Sequence, residues 1–141
     1  MSDLRYTPAN KVMMTLLALL GAGALYGGGG LVFDPTGRAI GLGARELGKT
    51  PFASFLVPGI VLLATFGIGS FVALWLVARR ARVAPFVAAA VGFGQVVWIA
   101  VQVTMIGLTF PAMQLGCATA GALIGLLAVV AFSRRPRYAA R

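Results

Sequence analysis

Three long stretches without a charged side chain dominate this chain. Residues 12–33, 50–78 and 83–133 contain no Asp, Glu, Lys or Arg over 22, 29 and 51 positions. A run of roughly 18 or more such residues indicates a membrane span, because about 20 residues at 1.5 Å each cross a hydrocarbon core about 30 Å thick. The last stretch is long enough for two crossings, and Gly107 and Pro111 near its middle favour a tight turn between them.

The fold class that these stretches predict is all-α, an integral membrane bundle of four transmembrane helices in a single domain over residues 1–141. The predicted helices cover about 12–32, 53–78, 83–106 and 111–132. Composition agrees, because 11% of the residues are charged against about 25% in soluble domains. Lys11 and Ala22-Gly23-Ala24 also resemble a signal peptide with a cleavage site. The apolar run continues to Phe33, however, which favours a retained span.

The positive charge is distributed unevenly. The net charge is +9, from 12 basic and 3 acidic residues. With four crossings, both tails and the second connection share one side of the membrane. That side holds nine of the basic residues: Arg5, Lys11, Arg79, Arg80, Arg82, Arg134, Arg135, Arg137 and Arg141. The bias predicts cytoplasmic termini and an extracytoplasmic first connection over 33–52. It would also attract anionic lipids, whereas no aromatic platform accompanies it to indicate nucleic acid as a partner.

The octapeptide GARELGKT, Gly43–Thr50, matches the phosphate-binding pattern G-x-x-x-x-G-K-[ST]. Such a loop works when a buried strand delivers it onto a helix N-terminus, whose free N–H groups hold the phosphates. The residues before Gly43 are too short and glycine-broken for a core strand, and the connection has no room for a nucleotide-binding domain. We therefore expect no nucleotide as a ligand, and interpret Thr50 as the N-cap of the second helix and Pro51 as a residue of its first turn.

Metal, cofactor and catalytic chemistry have few candidate residues. The chain has one cysteine, Cys117, no histidine and three acids, so a zinc or haem ligand set is not expected and no cofactor is predicted. Asp34 and Glu46 are the acids outside the N-terminal tail, and neither has a nucleophile beside it in the sequence. The sequence therefore predicts a protein that is not an enzyme.

Small residues recur at four-residue spacing in two predicted helices. Gly23 and Gly27 form one such pair, and Gly121 and Gly125, preceded by Cys117, form another. Small side chains let membrane helices approach closely, so these glycines are candidate helix-packing residues within or between chains. The run Gly27–Gly30 also permits a second interpretation, a hinge or a close backbone approach to a ligand.

Two amide side chains lie deep in the third predicted helix. Gln95 and Gln102 are seven residues apart and share a face with Trp98. Because amides need partners inside a membrane, this face is expected to point into the bundle or a protein interface. The structural interpretation is hydrogen bonding between helices, with Thr65, Ser70, Thr104, Gln114 or Thr119 as partners. The functional interpretation is a site for a substrate or lipid.

The first connection begins with the turn sequence Asp34-Pro35-Thr36-Gly37, and Asp34 is a further candidate interaction residue. Apolar residues then alternate with charged ones in this segment: Ile40, Leu42, Leu47 and Phe52. Two interpretations stay open, an amphipathic segment in the headgroup region and an irregular loop with apolar anchors. Pro58-Gly59 predicts a bend early in the second helix.

Ion-coupled transport usually needs an acidic or basic residue inside the membrane, and none of the four predicted helices has one. Small multidrug-resistance transporters and fluoride channels are similar in size, but the membrane glutamate of the first and the signatures of the second have no counterpart here. We therefore expect a non-catalytic accessory or assembly subunit of a larger membrane complex, in contact with lipid. The alternative is a small transporter or channel component that acts as an oligomer.

Several short motifs resemble those of a family of small, uncharacterised four-helix bacterial integral membrane proteins. They are Gly27-Gly28, Asp34-Pro35-Thr36-Gly37, Thr50-Pro51-Phe52, Phe55-Leu56-Val57-Pro58-Gly59 and Trp98…Gln102…Ile106-Gly107. The resemblance covers most of the chain. It implies a bacterial plasma membrane and the same four-helix layout, and it carries no activity over to this chain. The expected partners are membrane lipids and another membrane protein or a second copy of the chain.

Overall fold

The computed structural model describes residues 8–133, so Arg5 and the four C-terminal arginines lie outside the described residues. Within 8–133 every regular element is helical. Four helices are long and apolar enough to cross a membrane: Pro8–Phe33, Leu56–Ala78, Ala84–Ile106 and Pro111–Ser133. The predicted all-α fold with four membrane-spanning helices is thereby confirmed, and the chain has the architecture of a multi-pass membrane protein.

The four spans form a closed bundle in chain order. The first span is α1, Pro8–Phe33, and a short helix α2, Ala44–Leu47, lies in the first connection. The second span consists of α3, Leu56–Val61, then a π-helical stretch, Leu62–Ile68, and α4, Gly69–Ala78. The third and fourth spans are α5, Ala84–Ile106, and α6, Pro111–Ser133. Consecutive spans pack together, and α1 also packs on α6.

Two ends of the bundle can be distinguished. The terminal end carries the start of α1, the turn between α4 and α5, and the end of α6. The connection end carries residues 34–55 and the turn between α5 and α6. Towards the terminal end the core is closed by side chains with no exposed surface: Leu17, Ala73, Ala88, Ile124 and Ala128. The bundle is therefore solid in this half.

Backbone contact between glycines joins α5 to α6. A Cβ atom on Gly92 would lie 2.6 Å from the carbonyl oxygen of Gly121 and 2.6 Å from the nitrogen of Gly125. A Cβ on Gly121 would in turn lie 2.6 Å from the carbonyl oxygen of Gly92. Gly121 and Gly125 thus lie where two helices approach closely, inside one chain, as small residues in membrane helices allow.

On α1 the closest approach to the backbone of a neighbouring helix is at Gly28, and not at the predicted pair Gly23 and Gly27. A Cβ on Gly23 would meet no atom within 4 Å, and one on Gly27 would meet a methyl carbon of Leu62 at 3.4 Å. A Cβ on Gly28, by contrast, would lie 2.6 Å from the backbone nitrogen of Leu63. The side of α1 that carries Gly28 packs on the second span, whereas Gly23 borders a cavity.

The second span begins later than Thr50, so the interpretation of Thr50 as its N-cap is wrong. Thr50 ends α2 instead, because its hydroxyl donates to the carbonyl oxygen of Leu47 at 2.8 Å. The Ser54 hydroxyl oxygen accepts the N–H of Leu56 at 3.3 Å, immediately before α3. No feature of the sequence predicts the π-helical stretch Leu62–Ile68, whereas Pro58-Gly59 predicts a bend just before it. Such wider turns occur frequently at functional sites.

Candidate binding site at the connection end of the bundle

A gap opens between the spans at the connection end. Here α3 packs on α1, whereas α5 contacts the second span mainly through α4, towards the terminal end. Two neighbouring cavities of about 120 Å³ and 100 Å³ occupy the space. The first lies between the first connection, α3 and α5, and the second between α1, α5 and the start of α6. Six residues line both: Leu31, Leu42, Leu62, Trp98, Gln102 and Ile106.

The first connection forms a roof over these cavities. Leu42 and Phe55 are buried in a small apolar cluster with Leu31 of α1 and Ile106 of α5. Ile40 and Leu47 pack against the same cluster while partly exposed. The apolar side chains of the connection therefore reach into the bundle, which favours the interpretation as an irregular loop with apolar anchors over an amphipathic surface segment.

Asp34 shapes the start of this roof. Its Oδ1 accepts the hydroxyl of Thr36 at 2.6 Å and the N–H of Thr36 at 3.2 Å, and its Oδ2 accepts the N–H of Ala39 at 3.2 Å. The hydrogen bond from the Thr36 hydroxyl is the main cause that lowers the pKa of Asp34, since it stabilises the carboxylate. Asp34 lines neither cavity, so its place in the structure is that of a turn-forming residue.

The Gly43–Thr50 match does not have the geometry of a phosphate-binding loop. The short helix α2 lies inside the motif, and Gly48, Lys49 and Thr50 follow its C-terminal end. Their N–H groups already donate to carbonyl oxygens of Ala44, Glu46 and Leu47, respectively, at 2.9 to 3.2 Å. A phosphate at a helix N-terminus needs free N–H groups and the positive end of the helix dipole. That the chain binds no nucleotide stays a prediction.

Gln95 is the most deeply buried polar residue of the site. It is 2% exposed and lines the second cavity. Its Cβ and Cγ lie close to Gly121, where an added Cβ would come within 3.0 and 3.2 Å of them. The contact between α5 and α6 therefore fixes the stem of the side chain, while its carbonyl oxygen is buried and accepts no hydrogen bond.

Gln102 lies two turns further along α5 and lines both cavities. Its carbonyl oxygen is likewise buried without a partner. Both amides thus face into the bundle, as expected for polar groups in a membrane helix. Neither carbonyl oxygen accepts a hydrogen bond from another helix, which the structural interpretation requires.

Three of the partners proposed for Gln95 and Gln102 make hydrogen bonds with other groups. The Thr104 hydroxyl donates to the carbonyl oxygen of Val101 at 2.7 Å, and the Thr119 hydroxyl to that of Leu115 at 2.8 Å. Gln114 holds the turn between α5 and α6: its Nε2 donates to the carbonyl oxygen of Gly107 at 3.1 Å, and its Oε1 accepts the N–H of Phe110 at 3.2 Å. A fourth, Ser70, has a buried hydroxyl that is itself without a partner.

Trp98 lies between the two amides and meets the π-helical stretch. Its ring centroid is 6.1 Å from that of Phe66, with the planes inclined at 47°, a favourable tilted arrangement for aromatic rings. Phe66 is 3% exposed and Leu62, the first residue of the stretch, lines both cavities. These two residues could not be identified from the sequence, because an apolar side chain inside an apolar run carries no distinguishing signal.

The arrangement suits the binding of a neutral molecule. A buried amide without a hydrogen bond costs a few kcal/mol, which a bound polar group would offset. None of the described residues that line either cavity is charged, so a charged ligand would lose its water without gaining a counter-ion. No protein-family model, curated protein or solved structure matches this chain. The site is therefore interpreted from its own geometry.

Proposed function

We propose that the chain is a non-catalytic integral membrane protein that acts as an accessory or assembly subunit of a larger membrane complex, in contact with lipid. The observation that carries this proposal is an outward face of small residues on α6. Ala112 and Gly116 are exposed, and Ala120 is partly exposed at the same four-residue spacing. A Cβ on Gly116 would meet no atom within 4 Å. Such a face lets a second membrane helix approach closely.

The packing of the interior favours an accessory role over conduction by one copy. The two cavities are confined to the connection end, and the core towards the terminal end is closed by Leu17, Ile124 and small alanines without exposed surface. A continuous polar path, which ion or solute passage needs, is not supported by this packing. The partner proposed for α6 is a helix of another membrane protein or of a second copy.

Gly116→Leu is expected to remove the partner without unfolding the chain. The added side chain would occupy the outward face of α6, where a Cβ at this position meets no atom within 4 Å. Recovery of the co-purified partner in mild detergent, from the cells that naturally express the protein, should fall by about tenfold or more, equivalent to at least 1.4 kcal/mol. Mass spectrometry would identify the partner and quantify its recovery.

The control for this variant is Val129→Leu, a change of similar kind at a half-exposed position of the same helix. It should leave partner recovery unchanged, and both variants should melt at the temperature of the parent. Equal recovery with Gly116→Leu and the parent would contradict the proposal for this face. A chain that leaves its native membrane alone and monomeric would contradict the accessory role altogether.

A second candidate function is a small transporter or channel component that acts as an oligomer. It is favoured by the π-helical stretch beside the cavities, because Leu62 belongs to both features and such wider turns occur frequently at functional sites. Solute flux into liposomes that contain the purified chain alone would support this candidate over the accessory role.

The proposed location is a bacterial plasma membrane, with both termini in the cytoplasm. The membrane is the one that the resemblance of the short motifs implies, and the basis for the orientation is the nine-to-three distribution of basic residues in the sequence and the positive-inside rule. A phosphatase reporter, active outside the cytoplasm, should be active when fused at residue 45 and inactive when fused at the C terminus. A green fluorescent reporter at the same two positions should give the reverse pattern. Phosphatase activity at the C terminus would refute the orientation.

A further inference from the structure

We propose that the two cavities at the connection end form one binding site for a neutral lipid alcohol, a mostly apolar long-chain molecule with a hydroxyl group. The hydroxyl would bind the Gln95 amide, and the chain would pass Trp98 and Gln102. This inference adds a ligand to the accessory role and does not depend on it.

The Gln95 side chain sets the requirement for a hydroxyl. Its carbonyl oxygen is buried, lacks a hydrogen bond and belongs to a residue that is 2% exposed and lines the cavity. A ligand group in contact with this oxygen would therefore have to donate a hydrogen bond. If the amide turned over, its NH₂ group would take the same place and need an acceptor. A hydroxyl both donates and accepts, so it pairs with the amide in either orientation.

The lining sets the requirement for a neutral, apolar body. Trp98, Leu31, Leu62 and Ile106 border both cavities, and aromatic side chains of the roof close the first. A carboxylate or phosphate would enter without a cation among the described lining residues and would be strongly destabilised. A hydrocarbon chain, by contrast, gains free energy from contact with such walls.

The placement of the amides sets the requirement for length. Gln95 and Gln102 are seven residues apart on α5, which is about 10.5 Å along a helix axis. Gln102 lines both cavities while Gln95 lines the second. A molecule bound at Gln95 can therefore continue past Gln102 and Trp98 into the first cavity, beneath Phe52 and Phe55 of the roof.

Water molecules alone would be less favourable occupants of the two cavities than a lipid alcohol. Each cavity has room for several water molecules by volume, but a buried water typically makes about three hydrogen bonds. The side-chain amides that line the second cavity are those of Gln95 and Gln102, among sixteen mostly apolar lining residues. One hydroxyl satisfies the Gln95 amide, and the apolar chain fills the remaining space without further polar partners. The Gln102 carbonyl oxygen then keeps the buried position without a partner that it has in the structure.

The test uses the purified full chain in phosphatidylcholine nanodiscs and two photoreactive probes of equal length. One is a hexadecyl chain with a diazirine and a terminal hydroxyl, and the other ends in a methyl group. The alcohol probe should label the Gln95–Gln102 segment saturably, and unlabelled hexadecanol should compete. Gln95→Leu should weaken this labelling roughly fivefold, the factor expected for one net hydrogen bond. The methyl-ended probe should label parent and variant alike.

The matched control is Val97→Leu, since Val97 is 62% exposed and lies on the outer side of the same helix. It should leave labelling by the alcohol unchanged. Gln95→Met, which removes the amide at similar side-chain length, replaces Gln95→Leu with the same expected loss if the latter does not yield a monodisperse protein. Equal labelling by the two probes, no competition by hexadecanol, or full labelling of a folded Gln95→Leu variant would overturn the proposal. Such a result would leave the accessory role intact, because partner recovery is measured without the probes.

Discussion

Gly92→Ala is expected to destabilise the bundle strongly, although it adds a single methyl group. The new Cβ would lie 2.6 Å from the carbonyl oxygen of Gly121 and 2.6 Å from the nitrogen of Gly125. Both are backbone atoms of α6, so neither can turn away as a flexible side chain could, and the two helices must separate. Overpacking typically costs about 1–3 kcal/mol, against a gain of up to about 1 kcal/mol for alanine over glycine in a helix.

The melting temperature of the detergent-solubilised protein, followed by circular dichroism, checks this expectation. A net loss of about 1–2 kcal/mol should lower it by several degrees. Gly94→Ala is the matched control on the same helix, because its Cβ would lie 3.5 Å from the ring of Phe66, an ordinary contact. That variant should melt at or above the parent temperature. Equal melting of the two variants would contradict the close contact between α5 and α6.

The number and type of the spans could be predicted from the sequence because the thickness of a bilayer sets their length. The start of the second span could not. Residues 50–55 are uncharged and include Phe52 and Phe55, so they resemble the helix that follows. In the structure Phe55 is instead buried in the roof, and α3 begins at Leu56. Burial against the end of a bundle and burial in a membrane select the same apolar side chains.

The inward face of the third span could also be predicted, because two amides at a spacing of seven residues cannot both be left in lipid. The cavities beside them could not. They exist because α3 packs on α1 while α5 contacts the second span mainly through α4, and because a π-helical stretch separates α3 from α4. Hydrophobic periodicity predicts which side of a helix is buried, but not where two buried sides diverge.

The glycine positions show a different limit of prediction from the sequence. On α6 the pair Gly121 and Gly125 could be identified because the large residues Ile124 and Leu126 flank Gly125 and so fix the phase of the pattern. On α1 the run Gly27–Gly30 offers a small residue in every direction around the helix. Adjacent residues differ by about 100° in direction, so the sequence cannot distinguish which glycine faces the neighbour. The structure selects Gly28, whose added Cβ would lie 2.6 Å from the nitrogen of Leu63.

Gly28→Ala and Gly29→Ala are therefore expected to have opposite effects, although they alter adjacent glycines. At Gly28 the added Cβ would also lie 2.9 Å from the carbonyl oxygen of Gly59 and from the Cα of Leu63. Backbone surrounds it, and α1 must move away from the second span. At Gly29 the Cβ would meet no atom within 4 Å, so the helical preference for alanine should stabilise the protein by about 0.5–1 kcal/mol.

The expected melting temperatures follow from these contacts: several degrees below the parent for Gly28→Ala, and at or slightly above it for Gly29→Ala. Gly23→Ala adds a second control, since its Cβ is likewise free of contacts, and it should resemble Gly29→Ala. If Gly23→Ala were the destabilising change instead, α1 would have to face the second span with the Gly23 side. Such a rotation would also move Leu31 and Ala24 relative to the cavities they line. The three melting curves therefore test the position of residues that line the proposed site, together with the packing of the first span.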